Sequence, residues 1–154
     1  MKNKILLAGL FCCSLISTEA QVLLDKNAGK NSFPIVSPSA NVVVCFDGKD
    51  ETVVRKSVSL FTDDVRRVTG QDLKAQASNP GEVSARYAII VGTAGKSAWI
   101  DALTAKKKID ITPIAGGWER YMIETVDNPA PGIKKAIVVV GSDRRGTAYG
   151  LLSI

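Results

Sequence analysis

Ala136-Ile-Val-Val-Val-Gly-Ser-Asp-Arg-Arg-Gly-Thr-Ala-Tyr-Gly-Leu-Leu-Ser-Ile154 is the stretch whose reading decides the fold. The apolar run Ala136 to Val140 reads as a buried strand, since a half-exposed strand would alternate with polar residues. Gly141 closes it and Ser142-Asp143 turns. The spacing then predicts a helix through Arg145, Gly146, Tyr149 and Gly150 with Asp143 as its cap. Gly146 and Gly150 lie four apart and share a helix face. Such a glycine strip lets the backbone lie close to a sheet, with Tyr149 and Leu152 expected to pack beside it. Arg144 or Arg145 is available for a carboxylate partner. The sequence ends with this apolar stripe just begun and no stop signal after it, so the helix is expected to continue in a longer protein.

Upstream, Val42 to Phe46 is a second continuous apolar run and so a second buried strand, turned by Asp47-Gly48. A helix follows from about Glu51 to Thr69. Its apolar residues Val54, Val58, Phe61, Val65 and Val68 step by four and three, which is one helical face, and Gly70 is its left-handed cap. Asp72 to Ala75 reads as a short strand and Tyr87 to Val91 as a longer one. Ser97 is expected to cap a helix reaching about Lys108, whose terminal lysines suit the negative end of the helix dipole. Trp118 to Val126 reads as a strand, and Asn128-Pro-Ala-Pro-Gly132 as a loop before the final strand. The order β-α-β-β-α-β-β-α, with two late strands joined by a short loop, predicts an antiparallel pair inside a crossover-built sheet. The expected fold class is α+β, a two-layer sandwich in which a mixed sheet carries helices.

The first twenty residues read as a signal peptide. Met1 to Lys4 is basic, Ile5 to Ile16 is apolar but short for a bilayer span, and Thr18-Glu19-Ala20 places small residues for cleavage. Phe11 stands where a lipoprotein needs a small residue before Cys12. The protein is therefore expected to be exported, to the periplasm or beyond, with no membrane span. Residues 21–40 are an extended lead-in, anchored by Phe33, Ile35 and Val36, and residues 41–154 are one α/β domain. Of the 154 residues, 134 remain after Ala20, enough for one domain with a substantial core. Cys45 is their only cysteine; with no intramolecular disulfide, the fold must rely on that core. A thiol on a valine-rich strand reads as a small core residue.

The sequence has no histidine, which removes Ser-His-Asp and Cys-His catalysis and the commonest zinc ligand. The formal charge is +5 and the pI about 9.2. Its basic residues are dispersed and no aromatic platform interleaves with them, so no nucleic-acid partner is expected. Gly92-Thr-Ala-Gly-Lys-Ser97 looks like a phosphate loop, but Ile90 stands where the first glycine is required; it reads as a plain strand-to-helix turn. Glycoside hydrolysis needs two carboxylates facing one pocket. Glu119 and Glu124, five apart on one strand, would point to opposite faces, and Asp63 and Asp64 are helix neighbours about 100° apart, of which one or both are expected to be solvated. Trp118 could stack on a sugar, but reads more naturally as a core or interface residue. No catalytic, cofactor-binding or metal-binding residue can be assigned, and no cofactor is implied.

Five segments in order carry a resemblance: Phe33-Pro-Ile-Val36; Ile89-Ile-Val-Gly-Thr93 with Gly95-Lys-Ser97; Gly117-Trp-Glu119; Thr125-Val-Asp-Asn-Pro129; and Gly141-Ser-Asp-Arg-Arg-Gly146 followed by Tyr149-Gly150. Together they resemble the N-terminal domain of glycoside hydrolase family 115, the xylan α-1,2-glucuronidases. The Arg-Gly-x-x-Tyr-Gly ending is also similar to the corresponding domain of β-hexosaminidases and other α-glucuronidases. The resemblance implies a non-catalytic domain preceding a (β/α)8 barrel that holds the catalytic acids and removes glucuronic acid, or its 4-O-methyl ether, from glucuronoxylan without a cofactor. The partner implied is that downstream barrel, and the fragment alone would be inactive. Two other readings stand beside it: the front domain of a β-hexosaminidase-type enzyme, and a stand-alone carbohydrate-binding module using exposed aromatics. An apolar patch where a barrel would dock is expected on the surface.

Overall fold

The structure, a computed structural model, describes residues 32–36 and 40–154. The signal peptide, Cys12 and Cys13, and most of the lead-in lie outside the described residues. The elements are β1 (Val42–Phe46), α1 (Thr52–Thr69), β2 (Lys74–Ala77), β3 (Ala85–Thr93), α2 (Ala98–Ala105), β4 (Tyr121–Ala130), β5 (Ile133–Gly141) and α3 (Arg144–Leu152). The five strands form one sheet in the order β2-β1-β3-β5-β4. All neighbours are parallel except β4 and β5, the antiparallel pair expected from their short connection.

The period-two geometry of strands divides the apolar runs between two cores. Val42 and Val44, Ile89 and Val91, and Ile137 and Val139 point to one face, where Val54, Val58 and Phe61 of α1 and Leu151 of α3 cover them. Val43 and Cys45, Ala88 and Ile90, and Val138 and Val140 point to the other. There α2 supplies Trp99, Ile100 and Leu103, and the following loop supplies Ile109 and Ile114. The mixed sheet therefore carries helices on both faces, which is why its central strands are apolar throughout. Phe33 and Ile35 of the lead-in pack on the α1 side, with the Phe33 ring edge-on to Tyr87 at 5.5 Å.

Several boundaries differ from the sequence reading, each for a local reason. Val68 is not on the buried face of α1 but 85% exposed. It stands in the last turn of α1, beyond Phe61, the last residue of that helix to be fully buried. Gly70 does cap that turn, at φ 71°. β2 begins two residues later than expected, where Lys74 comes into parallel register with Val43. α2 ends at Ala105, and Lys107 turns left-handed at φ 53°, so the lysines lie beyond the helix. β4 begins at Tyr121 rather than Trp118. It continues through Asp127–Ala130, where a register irregularity and a left-handed Asn128 accommodate Pro129 within a strand expected to have become loop.

Candidate functional site

In open α/β sheets, ligands lie outside the carboxyl ends of the strands where connections diverge to opposite sides. Here that point is between β1, whose chain turns toward β2, and β3, whose chain turns toward β4 and β5. The protein's own side chains occupy it. The Asp50 carboxylate accepts from Thr93 N at 2.8 Å and from Glu51 N at 2.7 Å. Asp47 accepts from Ala98 N at 2.8 Å and from Lys49 N at 2.7 Å. Thr93 and Thr147 share a hydroxyl hydrogen bond of 2.9 Å, and the Thr147 hydroxyl also donates to the Gly92 carbonyl. Both aspartates are buried.

This arrangement explains the Gly92–Ser97 segment. It is a strand-to-helix turn, as read, but Ser97 is not the side chain that caps α2. Its hydroxyl is buried without a partner, pressed where a Cβ on Gly92 would stand, and Asp47 takes the capping bond from the end of the neighbouring strand β1. A carboxylate at the head of α2 occupies the place where an incoming anion would bind. Asp47 and Asp50 were not singled out by the sequence reading beyond the turn at Asp47-Gly48. Two aspartates three apart at the end of a buried strand were the available signal, because such carboxylates readily bond nearby backbone N–H groups.

A second constellation lies at the head of α3. Asp143 caps the helix by accepting from Arg145 N at 2.9 Å and Gly146 N at 2.8 Å, while its other oxygen accepts from Glu119 N at 2.8 Å. The Gly146 N–H, then the Glu119 N–H, hold the Asp143 carboxyl below its usual range, with Arg145 contributing less. Arg145 is the arginine that finds a carboxylate: its guanidinium donates to Glu119 at 2.7 Å, which raises its own pKa further. Glu119 therefore does not share a strand with Glu124. It sits before β4 in the left-handed region at φ 54°, an uncommon conformation for glutamate, held by bonds to its backbone and its side chain.

Gly146 lies directly against the Arg120 carbonyl, and Gly150 sits where a Cβ would be 2.9 Å from Val139 and 3.0 Å from Tyr121, so the glycine strip does bring α3 onto the sheet. Tyr149 and Leu152 do not pack beside it as expected; they face solvent, 48% and 52% exposed. Trp118 is outside the core altogether, at 77% exposed, while Trp99 is the buried tryptophan and donates from Nε1 to the Ser78 carbonyl at 2.7 Å.

The remaining candidates read as surface or core. Asp63 and Asp64 form exposed ion pairs with Arg66 and Arg67 one turn on. Burial pushes the Cys45 thiol up to about 12, so it is no nucleophile. An open groove of about 400 Å³ is lined by Lys107, Lys108, Asp110 and Glu124, but its Asp110 carboxylate is engaged by the Thr112 hydroxyl and N–H, which lower its pKa. A glycosidase acid needs the opposite shift. Another groove, of about 440 Å³ between Lys106 and Lys134, is lined by no carboxylate. No helix among the described residues is long and apolar enough to cross a membrane.

Among solved structures, a family GH115 4-O-methyl-α-glucuronidase with specificity for decorated arabinogalactans matches this chain at 29% identity and a TM-score of 0.51. The match covers 73% of this chain but only 12% of that one. The fold is GH115-like. The structure of CpGH84D matches at 13% identity and a TM-score of 0.49, covering 73% of this chain and 16% of that one. No family model matches the sequence, and no curated protein does. The chain thus spans a small part of the glucuronidase it matches, and it is related to a glycosidase domain.

Proposed function

We propose that this chain is the non-catalytic N-terminal domain of an exported glycoside hydrolase that removes (4-O-methyl)glucuronic acid side chains from glucuronoxylan. Its role is to support a (β/α)8 catalytic barrel further along the same polypeptide. The observation that carries this reading is the match to a small part of a much longer GH115 glucuronidase. The disposition of the acidic residues agrees with it: Asp47, Asp50 and Asp143 bond backbone N–H groups, and Glu119 is paired with Arg145. Each is thereby committed to a partner within the domain.

The test compares release of 4-O-methylglucuronic acid by this chain and by the polypeptide of its natural reading frame, on glucuronoxylan and on a decorated arabinogalactan. Activity confined to the longer polypeptide, with xylan as the better substrate, is the expected result. Preference for arabinogalactan would replace the substrate while keeping the reaction, and activity in neither would remove the glucuronidase reading. A stand-alone carbohydrate-binding module is the second reading, favoured by the exposed Trp118 and Tyr149. Migration unretarded by soluble xylan in affinity electrophoresis would eliminate xylan binding by such a module.

A further inference from the structure

We infer that the outward face of α3, continued by Trp118 and Tyr121, is the surface on which the domain following in the parent polypeptide packs. This rests on the reading of the chain as the front domain of a longer hydrolase, and it assigns the place of contact. Of six large hydrophobic side chains exposed among the described residues, four gather here: Trp118, Tyr121, Tyr149 and Leu152. The segments that carry them are tied together. Tyr121 lies against Gly150 and shares a hydrogen bond of 3.0 Å with Ser153, one residue beyond Leu152. Arg145, Tyr149 and Leu152 stand at i, i+4 and i+7 and so form one stripe of α3, and Arg145 is tied to Glu119 beside Trp118.

Two features point to an occupant. Trp118 precedes a strained left-handed residue that is pinned by Asp143 and Arg145, so the turn is held in place although the indole is mostly exposed. A tryptophan and two tyrosines displayed on a rigid support match the residues that dominate protein interfaces. The second feature is position. Ile154 packs at the end of α3 two residues beyond Leu152, so a continuation of the polypeptide leaves from the border of this face. Arg120 and Arg144, both exposed, belong to the segments bordering the face, which suits a partner surface with an apolar centre and carboxylates at its rim.

The test is hydroxyl-radical footprinting of this chain and of the polypeptide from its natural reading frame, read residue by residue by mass spectrometry. Trp118 and Tyr149 are expected to lose most of their reactivity in the longer polypeptide, while Leu60 and Val68 on α1 keep theirs. Trp118→Ser with Tyr149→Ser should leave the melting temperature of this chain unchanged and split the longer polypeptide's single transition into two. A reading frame without a hydrolase domain would overturn the parent reading itself. A hydrolase domain present with Trp118 still fully reactive would overturn the contact and leave that reading standing. Protection of Trp118 that depends on the concentration of this chain alone, or on added xylan, would also overturn it, making the occupant a second copy or a polysaccharide.

Discussion

The Asp143 carboxylate binds the backbone N–H of Glu119, 24 residues earlier, with one oxygen while its other oxygen caps α3. One side chain thus joins the entry of β4 to the exit of β5. The folded protein holds this carboxyl below its usual range, chiefly through the Gly146 and Glu119 N–H groups, so it binds its proton less readily than the unfolded chain does. Its stabilisation is therefore complete above the unfolded value near 4 and declines as pH falls through the lower folded value. Asp143→Ala should cost about 1–2 kcal/mol at neutral pH and progressively less as acid protonates the carboxylate, first in the unfolded chain and then in the folded protein. Urea unfolding at pH 7 and pH 3 checks this; an equal loss at both would exclude the linkage.

Asp50→Asn and Asp47→Asn are expected to be costly although isosteric. Each carboxylate uses both oxygens to accept from backbone N–H groups, and an amide would turn an NH2 toward one of them. The cost should be about 2–3 kcal/mol for Asp50, whose bond to Thr93 is fully buried. Denaturant midpoints measure it, and a loss below that of a surface control such as Asp64→Asn would contradict the assignment.

Gly146→Ala and Gly70→Ala separate two reasons for glycine. A Cβ at Gly146 collides with the Arg120 carbonyl, whereas at Gly70 it meets open space and only the left-handed φ of 71° is at issue. The first should cost about 3 kcal/mol or more, the second about 1 kcal/mol. Thermal melts of the two variants provide the comparison.

Cys45 should resist alkylation in the folded protein. It is fully buried with a thiol pKa of about 12. Peptide mapping after iodoacetamide treatment should find Cys45 unmodified without denaturant and modified in urea. Rapid native labelling would show that the β1 side of the core opens locally.

Much of the framework was legible because it is written in local periodicity. The valine runs, the four-three stepping of Val54, Val58, Phe61 and Val65, and the turn residues at Asp143 and Gly70 each depend on neighbours within a few positions. The same reading missed Asp47 and Asp50, since their partners Ala98 and Thr93 lie 51 and 43 residues away. It also placed Glu119 on a strand, because nothing local announces a left-handed glutamate held by Asp143 and Arg145.

By itself the sequence determined which segments become strands and helices, that two late strands pair antiparallel, and that Cys45 is a core residue. Periodicity and turn chemistry suffice for those. Only the tertiary structure decided that β1 lies between β2 and β3, that carboxylates fill the carboxyl edge of the sheet, and that Trp99 is buried while Trp118 faces solvent. Those outcomes depend on which distant backbone groups become neighbours, and no local pattern carries that information.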